Sequence, residues 1–394
     1  MKKAFFAALA AGLLVFSACD LADFGGKDPQ PEAPSSDAAL TGENVDVSAI
    51  PSDIRKVFML NEGGMGSNNA SLDLLRISDG YYITGVFKKM NPSVGAGLGD
   101  VGNDIAVHGD EIWIVVNNSG IVEVISVEDE KEIAAIQIPT PRNIAFDDQF
   151  AYITSWAGAY AAYDANYYVD PENSWNPKGK VYRISLATKM MDCLPIQVGY
   201  QPEGLAVRDG KLYVANSGGI SSQLPPLYSY DRTVSIIDTK TFTVTKTVDV
   251  QVNLKNVYAD GSGNIYVTCL GDYWSTHSGL YMIDKNDAVK HVSDYVSVSS
   301  VKDGVVYCIG TEDEFDWSGA PKTWKAWSCK DGVKSALGWT IDAVTPYSLC
   351  AFGGDTFLLG DAGDYFNPGT VSLYSGGKKW TVTAGVCPGH FAIW

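Results

Sequence analysis

The sequence lacks the short motifs that mark many catalytic sites. It contains no GxSxG, no HExxH, no glycine-rich strand-to-helix phosphate loop and no calcium-loop spacing. The DGSGN stretch at Asp260–Asn264 resembles a metal loop, but it occupies the turn of a predicted hairpin. The four histidines, His108, His277, His291 and His390, are dispersed along the chain. The sequence therefore predicts no catalytic residue, no cofactor and no metal site.

Positive charge is also scarce. The chain has 29 Lys and Arg against 46 Asp and Glu, which gives a formal net charge of -17. Nucleic acids and anionic lipid surfaces are bound by Lys and Arg that replace counterions. Neither is therefore expected as a partner, and most of the acidic residues are expected to serve solubility.

The cysteine pattern argues against a zinc centre. None of the seven cysteines forms a CxxC pair beside a histidine cluster. The six that follow Cys19 fall in predicted strands or at strand ends, where most are expected to be buried as small apolar residues. An exported chain can form disulfides, and Cys308 with Cys329, in neighbouring predicted strands, is the first pair to examine.

Only the N-terminus carries a long apolar run. Met1-Lys2-Lys3 precede the run Ala4–Phe16, which has the length of a secretory signal and is too short to span a bilayer. The run ends in Ser17-Ala18-Cys19, which resembles the cleavage and lipidation site of a bacterial lipoprotein. We expect residues 1–18 to be removed and Cys19 to carry lipid; the alternative is a soluble secreted protein.

Residues 19–54 are rich in Asp, Pro, Gly and Ser and show no apolar periodicity. Such a segment buries too little surface to order itself, so we predict a flexible tether. Its Asp20 and Asp23 resemble the export signal of lipoproteins displayed on the outside of Bacteroidetes cells. The remaining residues, 55–394, form the predicted domain.

That domain repeats one pattern, seen most clearly in QPEGLAVRDGKLYVAN at Gln201–Asn216. Apolar residues alternate with polar ones on both sides of Asp209-Gly210, which predicts a hairpin with a type I′ turn. Similar hairpins start near Val101, Pro141, Leu254, Val296 and Pro346, and a second strand pair follows each one. A four-strand unit repeated at this spacing predicts an all-β fold, the β-propeller.

Counting the units gives seven blades. Six are complete, while Lys56–Lys89 supplies three strands and Pro388–Trp394 supplies one. We predict that the N- and C-terminal strands share the seventh blade, because closing the ring removes exposed sheet edges. The alternative is a six-bladed ring with loose ends.

The loops that join second to third strands hold almost all of the length variation and many aromatic residues. In an antiparallel blade these loops share a face with the crossings between blades. Aromatic side chains concentrated on one face favour a binding surface, and the alternative is a lid in which they pack on one another. They are Trp156, Tyr160, Tyr163, Tyr167, Tyr168, Trp175, Tyr228, Tyr230, Tyr273, Trp274, Phe315, Trp317, Tyr365 and Phe366.

The crossings onto the inner strands predict a ring of polar residues around the central channel. Its members are Asn103, Arg142, Glu203, Lys255, Ser299, Tyr347 and His390. Their mixture of donors, acceptors and charges suits a polar ligand. The predicted ligand-binding residues are Trp156, Tyr163, Tyr168, Trp175, Tyr228, Tyr230, Tyr273, Trp274, Trp317, Tyr365, Phe366, Asn103, Arg142 and Tyr347.

The lipoprotein signal, the tether, the stretch Asn61–Leu75, the GNDIAV, PRNIAF and QPEGLAV strands and TVSIIDTKTFTV at Thr233–Val244 together resemble a known family. They are similar to the YncE-like (YVTN-type) β-propellers of Bacteroidetes surface lipoproteins and, within that group, to cobalamin-binding lipoproteins of the BtuG type. The resemblance covers nearly the whole mature chain, and it matches the scaffold residue by residue without matching a set of cobalamin contacts.

The resemblance implies a non-enzymatic protein that is lipid-anchored at the outer membrane and faces outward. It would capture cobalamin (vitamin B12) or a related corrinoid and pass it to an outer-membrane TonB-dependent transporter. Two alternatives stay open. A surface glycan-binding protein would also use exposed Trp and Tyr, and a propeller lyase or hydrolase would place groups such as His390 and Asp361 near the channel mouth.

Overall fold

The repeated hairpin forms as its sequence predicts. Residues 202–208 pair with residues 211–216, and Arg208 lies opposite Lys211 across the turn. Asp209 and Gly210 have φ angles of 49° and 70°. A type I′ turn requires positive φ at both central residues, and Asp and Gly are among the residues that tolerate it.

In the computed structural model these hairpins build a seven-bladed β-propeller, which confirms the predicted fold. The structure describes residues 42–95, 97–157, 178–218, 220–221, 228–316 and 318–394. They belong to a unit that spans residues 40–394. Blades 2 to 7 are antiparallel meanders whose first strand lies innermost.

The elements are as follows, in chain order. Blade 1 contains β1 (Glu43–Asn44), β2 (Lys56–Asn61), β3 (Ser71–Arg76) and β4 (Tyr81–Ile83), and the helix α1 (Val86–Met90) follows it. Blade 2 contains β5 (Gly102–His108), β6 (Glu111–Val116), β7 (Ile121–Ser126) and β8 (Glu132–Gln137). Blade 3 contains β9 (Pro141–Phe146), β10 (Phe150–Ser155), β11 (Lys180–Ser185) and β12 (Ile196–Gln197). Blade 4 contains β13 (Pro202–Arg208), β14 (Lys211–Asn216), β17 (Thr233–Asp238) and β18 (Thr243–Asp249), with the ribbon β15 (Ile220–Ser221) and β16 (Tyr228–Ser229) inserted.

The remaining blades follow the same order. Blade 5 contains β19 (Leu254–Ala259), β20 (Ile265–Cys269), β21 (Gly279–Ile283) and β22 (Val289–Asp294). Blade 6 contains β23 (Val298–Lys302), β24 (Val305–Gly310), β25 (Lys325–Lys330) and β26 (Val333–Leu337). Blade 7 contains β27 (Pro346–Gly353), β28 (Thr356–Asp361), β29 (Pro368–Ser375) and β30 (Lys378–Val386), and β31 (Pro388–Ile393) ends the chain.

The hydrophobic core lies between blades. The second strand of a blade is buried on both faces because each face packs against a neighbouring blade, so β6 reads as the apolar run EIWIVV. Between blades 2 and 3, for example, Trp113 and Ile153 belong to one fully buried cluster. The outer strands are largely exposed, as β18 is. Each blade therefore depends on both of its neighbours for burial.

Strands from the two ends of the chain close the ring, as predicted. The order in blade 1 is β1-β4-β3-β2-β31. The innermost strand β31 is C-terminal, and its pairing places Ala392 opposite Phe58 and Phe391 opposite Met59. Both Phe58 and Ala392 belong to the core shared with blade 2. The sequence predicts three N-terminal strands in blade 1, and the structure adds the short β1.

The pairing of β1 shows that the predicted tether ends too late in the sequence. Residues 42–54 do not behave as a free segment, because β1 pairs with β4 and places Glu43 opposite Tyr82. Val45, Ile50 and Ile54 are buried in the cluster that joins blades 1 and 7. The spacing of these three apolar residues matches neither the period of a strand nor that of a helix, so the sequence pattern does not predict their burial. The propeller domain therefore begins before residue 55.

The loops have the predicted distribution over the two faces. We call the face with the second-to-third loops and the blade crossings the loop face, and the opposite face the turn face. The longest second-to-third loops, all on the loop face, are residues 156–179, 217–232 and 311–324. The described connections on the turn face are five residues or shorter, except for residues 45–55 in blade 1 and residues 186–195 in blade 3. The crossing at residues 84–101, which contains α1, is also long.

The six cysteines among the described residues are free thiols. Cys308 and Cys329 do lie in paired strands, but the register places Cys308 opposite Trp327, so the candidate disulfide is not formed. Five of the six are buried, as expected, and Cys193 is partly exposed. Among the described residues no helix has the length and apolar character needed to cross a membrane.

Deleting residues 388–394 should abolish cooperative unfolding. The deletion removes the inner strand of blade 1 and uncovers Phe58 and Leu60, both fully buried. We expect a loss of more than about 4 kcal/mol, a large part of the roughly 5–15 kcal/mol that stabilises a typical domain. Thermal melting followed by circular dichroism measures this. Val333→Ser, at an exposed outer-strand position, is the control, and an unchanged melting curve for the deletion would show that the ring does not need its closing strand.

Candidate functional site

The inner strands converge on a central cavity of about 500 Å³, to which all seven blades contribute. Its polar lining residues include Asp104, Asn143, Lys255, Tyr347 and His390. Ligand pockets commonly enclose about 300–1,000 Å³. The cavity can therefore hold a small polar molecule or one part of a larger ligand.

A backbone irregularity selects the side chains that reach the loop-face mouth of this cavity. The register between the two innermost strands shifts near this end in six of the seven blades, for example between Gly102 and Asp104. Such bulges leave a residue outside the ladder and redirect its side chain. The second residues of five of these inner strands are members of the predicted ring: Asn103, Arg142, Glu203, Lys255 and Tyr347.

The other two predicted ring residues, His390 and Ser299, also line the central cavity, but they stand at different strand positions. His390 is the third residue of β31, which is the position of Asp104 in β5. Blade 6 lacks the bulge, so Ser299 stays in the ladder opposite Cys308. The Ser299 hydroxyl oxygen lies 2.9 Å from that of Tyr258, another residue that lines the cavity. Alignment of the repeats therefore predicts that both residues lie at the channel, but it does not show their offset from the other five residues, because the bulges are invisible in the sequence.

Arg142 and Glu203 form a forked ion pair at the mouth. Nε of Arg142 donates to Oε1 and Oε2 of Glu203 at 3.1 and 3.2 Å, and Nη2 donates to Oε2 at 3.1 Å. The guanidinium carbon lies 4.2 Å from the centre of the Trp156 ring. The amide of Asn103 donates to the backbone carbonyl of Arg142 at 2.7 Å. The structure therefore brings together three predicted site residues and Glu203.

A second cluster at the mouth contains two carboxylates that the sequence analysis missed, Glu62 and Asp104. The Tyr347 hydroxyl donates to Oε2 of Glu62 at 2.7 Å, and Nε2 of His390 lies 3.4 Å from Oε1 of Glu62. Nδ1 of His390 is 3.9 Å from Oδ1 of Asp104. Glu62 follows the last residue of β2, so only the alignment of Asn61-Glu62 with the ends of other second strands could have indicated it.

Burial and hydrogen bonding act differently on the groups of this cluster. Burial alone would raise the pKa of Glu62, but His390 and the Tyr347 hydroxyl outweigh it and hold that pKa below its usual value. Burial raises the pKa of Asp104, and His390 and two backbone N–H groups offset only part of the effect. Burial and the neighbouring Glu62 raise the pKa of Tyr347. Tyr347 is therefore a neutral hydrogen-bond donor at neutral pH.

Two loops that border the site share one sequence, Gly-Asp-Tyr followed by Trp or Phe. They are Gly271–Trp274 in blade 5 and Gly363–Phe366 in blade 7. In each, the Asp carboxylate accepts backbone N–H groups that follow it: Asp272 binds those of residues 274–276, and Asp364 binds those of residues 366 and 367. We call these two loops the twin turns.

Both aspartates are held in their charged form. Partial burial opposes ionisation of Asp272, but its backbone and side-chain hydrogen bonds lower its pKa well below the usual value. The backbone N–H groups of Asn367 and Phe366 lower the pKa of Asp364. Charged carboxylates in these positions stabilise the turns because each satisfies several N–H groups at once.

Each twin turn contains a tyrosine with a strained backbone, followed by an exposed aromatic residue. Tyr273 and Tyr365 have φ angles of 64° and 69°, in the left-handed region that bulky residues rarely occupy. The Tyr365 ring stacks edge-on against Tyr347 at the mouth, with 5.7 Å between ring centres. The next residues are exposed, Trp274 by 61% and Phe366 by 82%. Strain of this kind is often maintained at ligand-binding positions.

Phe315 packs against a neighbouring loop, which was the alternative to a role in ligand binding. The Phe315 ring stacks on His277 with 4.6 Å between ring centres. Nδ1 of His277 lies 2.6 Å from Oε1 of Glu314, which also accepts the backbone N–H of Ser278. His277 and Phe315 therefore hold two loops together, and neither is placed in the central cavity.

Several predicted residues lie outside the described part of the chain. They are Cys19, Tyr160, Tyr163, Tyr167, Tyr168, Trp175 and Trp317. Tyr228 is described only as part of the strand β16, and Tyr230 is half-buried. The predicted residues with described contacts at the mouth are Asn103, Arg142, Trp156, Tyr347 and Tyr365, while Tyr273, Trp274 and Phe366 lie on the twin turns of the loop face.

The mouth thus offers hydrogen-bonding groups, and the twin turns offer exposed aromatic side chains. Within the described ranges, no three His, Cys, Asp or Glu side chains are placed to hold a metal ion. Asp361, considered for catalysis from the sequence, accepts the backbone N–H groups of Val344, Thr345 and Gly363 and so supports the blade 7 loop. His390 has a carboxylate near each ring nitrogen.

Breaking the Arg142–Glu203 pair should destabilise the fold measurably. Arg142→Met leaves the Glu203 carboxylate, whose side chain is only 13% exposed, without its partner. We expect a loss of about 1–2 kcal/mol, most of which Glu203→Gln should restore in the double variant. Urea denaturation of the two single variants and the double variant gives the coupling energy. Additive single effects would show that the pair contributes nothing to stability.

No protein-family model matches this chain, and no curated protein matches it. Solved structures resemble it in fold. Kuenenia stuttgartiensis hydrazine synthase has a TM-score of 0.54 and 14% identity, covering 73% of this chain and 88% of that chain. A quinoprotein alcohol dehydrogenase-like protein from Bacteroides thetaiotaomicron has a TM-score of 0.56 and 10% identity, covering 86% of this chain and 78% of that chain. At these identities the similarity shows the β-propeller fold alone.

Proposed function

We propose that this protein captures cobalamin or a related corrinoid on its loop face and passes it to an outer-membrane TonB-dependent transporter. In this proposal no chemical step occurs. The observation that carries it is the combination of exposed aromatic residues on the twin turns with a polar, hydrogen-bonded cavity mouth between them.

Cobalamin is a broad macrocycle fringed with amides. Its faces and its ring edge suit contact with aromatic side chains such as Trp274 and Phe366. Its amides match the donors and acceptors at the mouth, among them Asn103, Arg142 and Tyr347. A corrinoid is too broad to enter a cavity of about 500 Å³, so it would lie across the mouth with the twin turns at its edge.

The N-terminal sequence supports the cellular part of the proposal. A lipid on Cys19 would hold the protein at the outer membrane, and the chain from Cys19 to about residue 41 would separate the propeller from the lipid. A tether of about 23 residues, as the sequence predicts, would give a reach of roughly 25 Å. Such a tether lets the captured ligand be delivered to a transporter beside the anchor.

The soluble mature protein should bind cyanocobalamin without altering it. We expect tight, saturable binding by isothermal titration calorimetry, and Trp274→Ala and Phe366→Ala should each weaken it about tenfold, as buried aromatic contacts typically do. Leu194→Ser, at an exposed apolar residue of the turn face, is the matched control and should leave the affinity unchanged.

Other outcomes would identify the alternatives. No heat of binding at micromolar cobalamin would reject corrinoid capture. Binding on a glycan array that Trp156→Ala abolishes would support a glycan-binding protein instead. Turnover of a sugar substrate that His390→Ala abolishes would support an enzyme, because His390 contacts the two carboxylates of the mouth.

Lipid attachment at Cys19 has its own test. Cells that express the full chain should incorporate labelled palmitate into the wild-type protein and not into Cys19→Ala, because the thiol of Cys19 is the proposed attachment point. Whole-cell protease accessibility should place the wild-type protein on the outside. Equal labelling of both proteins would rule out lipidation at this residue.

A further inference from the structure

The carboxylates at the cavity mouth already have partners. Glu203 is bound by Arg142. Glu62 accepts the Tyr347 hydroxyl and lies beside His390. Oδ2 of Asp104 accepts the backbone N–H of Ile144 at 2.9 Å and the amide of Asn143 at 3.2 Å. Their negative charge is thus distributed over groups of the protein.

Lys255 differs from these residues. It lines the cavity, its side chain is exposed, and among the described residues it has no hydrogen bond or ion pair. Its charge reaches Glu62, where it helps to lower the carboxyl pKa. A protein with a net charge of -17 has many acidic residues that could neutralise a lysine, yet none of those described is paired with this one.

The backbone holds Lys255 in a fixed place. It is the second residue of β19, at the register shift between Leu254 and Val257. The neighbouring inner strand carries Gly204, where a Cβ atom would lie 2.5 Å from the carbonyl oxygen of Lys255 and 2.8 Å from Cα of Asn256. Glycine therefore permits β13 and β19 to approach closely, and this approach positions Lys255 at the mouth.

We propose that Lys255 binds an anionic, phosphate-type group of the captured ligand, and that it thereby distinguishes complete corrinoids from those without a nucleotide. This inference rests on the proposed function. Cobalamin carries one phosphodiester, in the link between the macrocycle and its nucleotide, while its amides are neutral. A lysine ammonium is a compact charge that binds phosphate oxygens well. The partnered carboxylates around the mouth leave Lys255 available for that contact.

The test compares cyanocobalamin with dicyanocobinamide, which lacks the phosphodiester and the nucleotide. Both are titrated into the wild-type protein, Lys255→Gln, Lys255→Arg and Lys302→Gln at low and high salt. Lys302 lines the same cavity and is paired with Asp303 at 3.4 Å, so it is the matched control. Melting temperatures check that each variant folds.

We expect Lys255→Gln to weaken cyanocobalamin binding about tenfold, the size of one charged hydrogen bond, and to leave dicyanocobinamide binding unchanged. Lys255→Arg should keep most of the affinity, and added salt should weaken cyanocobalamin binding more in the wild type than in Lys255→Gln. Lys302→Gln should affect neither ligand.

Two results would overturn this role of Lys255 while leaving corrinoid capture intact. One is that Lys255→Gln weakens both ligands equally, and the other is that it weakens neither. Binding of neither ligand by the wild-type protein would instead reject corrinoid capture, and the role of Lys255 would be rejected with it.

Discussion

The pairing of β31 with β2 is the contact on which the remaining structure depends. In this propeller a blade has no core of its own, because its middle strands are buried only where neighbouring blades cover both faces. An open ring would leave two such faces and two sheet edges in water. The C-terminal strand covers both the faces and the edges. Residues 42–54 bury further apolar surface between blades 1 and 7.

The same closure assembles part of the cavity mouth. Glu62 lies at the end of β2 and His390 lies in β31, so the two residues meet only because the ends of the chain share a blade. Tyr347 from blade 7 completes this cluster by donating to Glu62. The stability of the ring and the geometry of the mouth are therefore linked, and a change that loosens blade 1 would also disturb the site.

The sequence predicted the features that repeat and missed those that depend on one local contact. The blade count, the shared blade and the face that bears the loops all follow from strand alternation and turn chemistry repeated along the chain. The packing of Val45, Ile50 and Ile54 did not follow, since no period connects them. The sequence predicted that His390 and Ser299 lie at the channel, but it did not show their offset from the other ring residues, because a bulge shifts register without changing the apolar pattern.

The site combines a hydrogen-bonded centre with an exposed rim, and this division agrees with the proposed capture and release of a large ligand. Forked and charge-assisted hydrogen bonds fix Arg142, Glu203 and Tyr347 before any ligand arrives, which lowers the entropy lost on binding. On the rim, Asp272 and Asp364 fix the backbone of the twin turns, while Trp274 and Phe366 stay exposed. The left-handed tyrosines cost some stability, of order 1–3 kcal/mol each. Their repetition at the same motif position in two blades argues that the conformation serves the site, because folding alone would favour glycine there.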